Sequence, residues 1–328
     1  MTGNNRNAEP KGAAQQIGFL EDGAGPFGSA LIRAAERRPE IVGASADLSK
    51  YTDMGAFAKR FPERFVNVGM AEQNLVSVAA GLAHAGFTVV ATTFAAFATR
   101  RCHDFTVMQL ALAGVDVKLI GGVPGILSSF GPSHDGVDDV AIMRSVPGMV
   151  ILDPCDTFEA GRALEAALAH RGPVYLRLPF FRPDTPPVVP DEGAFVIGAA
   201  RTLRTGRDVG IVASGDMVAA ALYAAQLLAD AGIEAEVLQV SSMKPFDESA
   251  VAALARRFPK LVTAENHSVI GGLYSTVCET LCRHGIAARV APIGVQDVFP
   301  MFGMPDYVAG QLGMTPAEIV AAARALLE

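Results

Sequence analysis

Val68-Gly69-Met70-Ala71-Glu72-Gln73-Asn74 closes a short β-branched run, Phe65 to Val68, and opens a stretch of helical period from Ala71 to Ala85. A strand that runs into an apolar helix is the repeating unit of a parallel sheet covered by helices. The same alternation extends on both sides. Ile41 to Ala46, Thr88 to Thr92, Val117 to Gly121, Met149 to Leu152 and Val174 to Leu178 read as further strands, and Thr157 to His170 reads as another helix. One domain of six strands is expected. Glu72 falls in the first turn of its helix, where free N–H groups favour the ionised carboxylate while burial favours the protonated one. The sequence leaves that balance open, and an ordinary first-turn glutamate is the plain alternative.

Beyond this domain, Pro179, Pro183, Pro186, Pro187 and Pro190 crowd a segment in which neither a regular helix nor a central strand can form. The alternation then restarts. Asp208 to Ala213, Ala235 to Val240, Lys260 to Ala264 and Arg289 to Ile293 read as strands, with helices from Met217, Glu248, Gly272 and Thr315. The expected organisation is a disordered extension over residues 1–20, an α/β domain over 21–180, a linker over 181–195 and a smaller α/β domain over 196–328. Its length of 328 residues suits two cores.

Half of the residues are hydrophobic and 19% are charged, which leaves apolar surface to bury against partners. No run approaches the ~20 apolar residues of a membrane span. The polar start, Met1 to Gln16, has neither a signal core nor an Arg-rich amphipathic pattern. The net charge is -7 and no basic cluster exceeds Arg37-Arg38 or Arg100-Arg101, so nucleic acid is a poor partner. Cys102, Cys155, Cys278 and Cys282 form no CxxC pair, which suits a reducing cytoplasm. Cys278 and Cys282 share a helical face, and a buried structural role is expected for them.

The segment from Arg64 to Asn74 resembles the signature around the cofactor-activating glutamate of the transketolase family. Other pieces follow in the family's order. They are Gly43 to Leu48, Thr92 to Phe97, Gly131 to Asp135, Asp138 to Ala141, Arg144 to Met149 before Asp153 to Asp156, and, in the second domain, Val212 to Gly215 and Glu265 to Gly272. The likeness runs from residue 25 to residue 325. It implies a thiamin pyrimidine-binding domain followed by a transketolase C-terminal-type domain, and thiamin diphosphate as cofactor. In this family a glutamate polarises a ring nitrogen of the aminopyrimidine, so that the cofactor's own amino group can take a proton from the thiazolium carbon.

By that resemblance Glu72 is the activator, Phe97 stacks on the pyrimidine with Phe94 lining the same pocket, and Asp47 lies near the cofactor at a strand's C-terminal end. His134, in the Gly-Pro-Ser-His loop, handles a substrate proton, and His267 stands at the edge of the site. Arg101, His103 and Phe130 are expected to face the substrate. For the phenylalanines the alternative is an ordinary core role, for the histidines a structural or exposed one, and for His103 a helix-surface ion pair.

Thiamin diphosphate is anchored through a divalent metal, which the family holds with Gly-Asp-Gly and an asparagine about 25 to 30 residues later, because hard cations take oxygen ligands. Ser214-Gly215-Asp216-Met217 is the nearest approach here, and no asparagine follows at that distance. The resemblance therefore implies a separate diphosphate-binding subunit of transketolase N-terminal type that carries the Mg2+ ligands. It also implies two copies of each chain in a heterotetramer. Gly122 and Phe130 stand where relatives carry a substrate-binding histidine and an acid, and Tyr51 where many carry a serine. A shorter or less polar substrate is expected, such as an atypical ketose or a 2-oxo acid, because a buried polar contact is worth about 1 to 3 kcal/mol. The implied reaction moves a two-carbon ketol or acyl unit to an aldehyde-type acceptor. A 2-oxo acid dehydrogenase β-type subunit and a non-catalytic scaffold are the rival readings.

Overall fold

The computed structural model describes residues 23–180, 187–189 and 193–328. The expected disordered extension and most of the proline-rich linker lie outside the described residues. The chain builds two α/β domains with mostly parallel sheets. In the first, β1 (Ile41–Ser45), β2 (Phe65–Asn67), β3 (Thr88–Phe94), β4 (Val117–Gly122), β5 (Val150–Leu152) and β6 (Val174–Leu178) are the six strands expected from the alternation. β1, β3, β4, β5 and β6 are buried at every position, as strands covered on both faces must be.

The second sheet contains β7 (Arg201–Arg204), β8 (Val209–Ala213), β9 (Ala235–Gln239), β11 (Lys260–Ser268) and β12 (Arg289–Val295), in the order β12-β11-β8-β9-β7. β7 was not expected, because a four-residue segment with an arginine at each end and a single apolar residue gives no strand signature. It closes the sheet as an antiparallel edge against β9.

The remaining strand, β10 (Ser242–Lys244), follows β9 in sequence but leaves the second sheet. It pairs antiparallel with β5, setting Ser242 opposite Leu152 and Lys244 opposite Ile151. The first sheet thus has seven strands in the order β10-β5-β6-β4-β3-β1-β2. Lys244 Nζ secures the crossing strand by donating to the carbonyls of Arg144 at 2.9 Å and Val146 at 2.6 Å.

The two expected cores are fused across this junction. Leu119, Val146 and Ile151 of the first domain share one apolar cluster with Val212, Leu238 and Met243 of the second. A charged seam runs beside it. Arg177 donates to Asp139 at 2.9 Å, to Asp153 at 3.0 Å and to the carbonyl of Asn266 at 2.8 Å, while the Tyr175 hydroxyl donates to Asp139 at 2.7 Å.

Helix Thr157–Ala169 starts with a reciprocal cap. Asp156 accepts from the Glu159 amide at 2.7 Å, and the Glu159 carboxylate accepts from the Cys155 amide at 2.7 Å. Against it packs helix Pro26–Arg37, which the sequence reading did not identify. The latter's N-terminus is satisfied from a distance, by an Asp53 carboxylate that accepts from Gly25 at 2.8 Å and Gly28 at 2.6 Å. One expectation on the cysteines is corrected: on helix Leu273–Arg283, Cys278 is half-buried and Cys282 is exposed, because the apolar face of that helix is Leu273, Val277 and Leu281. Among the described residues no helix is long and apolar enough to cross a membrane.

Candidate active site

The C-terminal ends of β1, β2, β3 and β4 converge, and the loops beyond them carry the residues singled out in the sequence, as ligand sites in open α/β sheets do. β2 ends at Asn67, and Gly69 turns the chain with φ at 74° so that helix Glu72–His84 begins immediately afterwards. No side chain caps this helix from Ala71. The Glu72 side chain is only 5% exposed.

β3 delivers the aromatic side. Phe94 ends the strand, and Phe97 opens a π-helical turn, Phe97–Arg101. Four residues on, about one turn, the Arg101 guanidinium lies over the ring of Phe97, 3.9 Å from its centroid. Arg101 Nη1 also donates to Glu72 Oε1 at 2.9 Å. Carboxylate, guanidinium and aromatic face thus form one layered group.

His134 arrives from the loop after β4. Its ring lies 5.2 Å from Phe97, 5.2 Å from Phe130 and 6.2 Å from Phe94, centroid to centroid. Nδ1 is 2.9 Å from the Ser133 hydroxyl. Partial burial, followed by the nearby Arg101 charge, pushes the imidazole pKa below its ordinary value, so the neutral ring prevails at neutral pH. Tyr51, noticed in the sequence only as a departure, meets Phe94 edge-on at 5.5 Å and joins the aromatic set.

Two of the departures acquire a steric and a chemical meaning. A Cβ at Gly122 would come within 2.7 Å of Thr52 Cγ2, so the position has no room for a histidine. Phe130 is partly exposed and packs on His134, which gives the loop an apolar rather than an acidic wall.

Asp47 is positioned differently. It adopts φ of 60° at the end of β1, is exposed, and exchanges hydrogen bonds with Asn67, whose side chain also accepts from the Gly69 amide at 3.1 Å. It thereby braces the turn that leads to Glu72. His103 stays outside the cluster, with a shielded Nδ1 that has no hydrogen-bond partner.

His267 is sealed in the interdomain seam. Nε2 accepts from the Ala141 amide at 3.3 Å, Nδ1 lies 2.6 Å from the Ser268 carbonyl, and burial depresses its pKa. The structure does not bring it to the Glu72 group. Sequence reasoning passed over Asp135 and Phe302. Asp135 is buried with Oδ1 unpartnered, and burial raises its pKa to about 7. Phe302, from the second domain, lies against Gly131, where a Cβ would approach its ring within 2.6 Å. The identity of Asp135 gave no local signal, and the Phe302 contact joins residues far apart in sequence. Among the described residues no group of three His, Cys, Asp or Glu side chains suits a metal ion.

The strand ends of the first sheet thus gather a buried carboxylate, an aromatic platform and a histidine loop. The chain belongs to the transketolase family: the transketolase pyrimidine-binding domain matches residues 24–180 and the transketolase C-terminal domain matches residues 198–319. It is 43% identical over 299 residues to a transketolase family protein of Sinorhizobium fredii, covering 90% of this chain and 86% of that one. To the 6-deoxy-6-sulfo-D-fructose transketolase subunit SqwH of a Clostridium species it is 42% identical over 302 residues, covering 91% and 92% of the two chains. A solved split gene transketolase, an inactive beta4 tetramer, superposes with a TM-score of 0.84 at 39% identity, covering 92% of this chain and 97% of that one.

Proposed function

We propose that this chain is the pyrimidine-binding and C-terminal-domain subunit of a two-subunit transketolase-like enzyme that uses thiamin diphosphate. The observation that carries the reading is the Glu72, Arg101 and Phe97 group. A shielded carboxylate beside an aromatic face, already holding a planar cationic donor, is chemically suited to a protonated aminopyrimidine ring. When bound, thiamin diphosphate supplies the nucleophilic carbon that accepts a two-carbon unit from a ketose or a 2-oxo acid.

The residues of this chain have separable tasks. Glu72 holds a proton at the ring nitrogen it faces, Phe97 offers the ring a flat apolar seat, and Phe94 and Tyr51 back that seat and exclude water. His134, neutral at working pH, is suited to take a hydroxyl proton from the donor and return it to the acceptor. Asp47 and Asn67 keep the Glu72 turn in place. Arg101 and Phe130 are assigned to the substrate side of this group, His103 to a position outside it, and His267 to the interdomain seam, where it accepts from the amide of Ala141.

The diphosphate and its Mg2+ are assigned to a partner subunit of transketolase N-terminal type, with two copies of each chain in the assembly. Exposed Met70, Phe130, Phe299 and Phe302 supply apolar surface for that association. The free state of the four cysteines supports a cytoplasmic location. The donor is assigned as a ketose or 2-oxo acid less dependent on polar contacts than a sugar phosphate, which follows from the Gly122 and Phe130 surfaces. The sulfosugar named for the Clostridium relative keeps ketose donors in that set. The acceptor is an aldehyde.

Calorimetry and steady-state kinetics with partner, Mg2+ and cofactor test the assignment. Glu72→Gln should lower turnover by about two orders of magnitude or more, the range of a lost proton-transfer group. Unchanged turnover in that variant, or no heat of cofactor binding to the native pair, defeats the assignment.

A further inference from the structure

The surfaces assigned to the cofactor ring are already engaged by this chain. The Arg101 guanidinium is planar, cationic and a donor only, and it lies on the Phe97 face at 3.9 Å while donating to Glu72 at 2.9 Å. An aminopyrimidine seated on Phe97 and bonded through a ring nitrogen to Glu72 needs the same face and the same carboxylate. Both groups cannot hold them at once.

We infer that Arg101 is a resident occupant of the ring slot, which the cofactor must displace. This rests on the reading of Glu72 and Phe97 given above. Arg101 suits the task because half of its side chain is open to solvent, so the guanidinium can swing into water without an unpaired charge being buried. Glu72 has the opposite constraint. Its carboxylate is shielded and loses a favourable partner whenever Arg101 leaves, unless a ring donor takes over. The guanidinium thus keeps the carboxylate partnered and aimed until the assembled enzyme offers a ring. The cofactor's apparent affinity is then its intrinsic affinity multiplied by the fraction of molecules with an open slot.

The test is thiamin diphosphate titrated calorimetrically, with Mg2+, into the chain assembled with its diphosphate-binding partner. Native chain, Arg101→Ala, Arg101→Lys and Glu72→Gln are compared, each checked for a native thermal transition. Arg101→Ala should bind the cofactor about tenfold more tightly than the native chain. Arg101→Lys, which keeps the charge and loses the stacked plane, should fall between the two and serves as the second variant if Arg101→Ala does not fold. Glu72→Gln should weaken binding. Equal or weaker binding by Arg101→Ala and Arg101→Lys overturns the occupancy inference and leaves the cofactor assignment standing. If no variant binds, or Glu72→Gln binds as the native chain does, the cofactor assignment falls and the inference with it.

Discussion

The guanidinium of Arg177 and the carboxylate of Asp139 meet at 2.9 Å with both side chains sealed from solvent. Asp153 meets the same guanidinium at 3.0 Å, so one cation serves two buried carboxyl groups at the seam between the domains. Such a pair adds little over an apolar replacement of the whole group, but removing one partner strands the other. Arg177→Met should therefore destabilise the chain by about 3 to 5 kcal/mol. Urea unfolding reads this directly, and a loss below about 1 kcal/mol would show that the seam tolerates stranded charge.

Gly122 and Thr52 form a tighter test of packing. Gly122→Ala should cost about 1 to 3 kcal/mol, because the added methyl meets Thr52 Cγ2. Thr52→Ser removes that methyl and keeps the hydroxyl, which donates to Thr92 at 2.9 Å. The double variant should recover part of the loss. Strict additivity of the two substitutions in a thermal or denaturant cycle would refute the contact.

Asp135 gives the chain a pH dependence of defined sign. Burial lifts its folded pKa from 3.8 to about 7. Between these values the unfolded chain has released the proton that the folded chain retains, so stability is full at the acid end and declines as pH rises toward 7. Asp135→Asn should remove this part of the decline. Melting temperatures of the two proteins should diverge from pH 4 to pH 7 and run parallel above it, and parallel curves throughout would contradict the assignment.

Phe130 is the substitution with a predicted effect on substrate choice. Phe130→Asp should raise kcat/KM for polyhydroxylated donors relative to 2-oxo acids by about tenfold, the value of roughly one recovered polar contact. A donor series assayed with the partner subunit measures it. An unchanged preference would place the loop away from the donor.

Most strands of the two sheets were legible because short β-branched runs mark them, as in β3 and β8, whereas the short, exposed edge strand β7 was not. β10 was not, since three residues carry no period and the pairing depends on where the chain crosses between sheets. Helix Pro26–Arg37 was overlooked for a related reason: its N-terminal amides are satisfied by Asp53, 28 residues on from Gly25, rather than by a local cap. At the site, Glu72, Phe97 and His134 could be named from the resemblance of their segments. The contact of Arg101 with Glu72 could not, because it joins two segments 29 residues apart in sequence.

The crossing of β10 also sets an order of assembly. A ribosome that has released residue 180 has made every parallel strand of the first sheet, yet the β5 edge stays bare until residue 244 emerges. A fragment cut at the natural-looking boundary would carry an unpaired strand edge, open to pairing with another copy. The two halves are therefore one folding unit, and dissecting them produces an incomplete sheet rather than a free-standing domain.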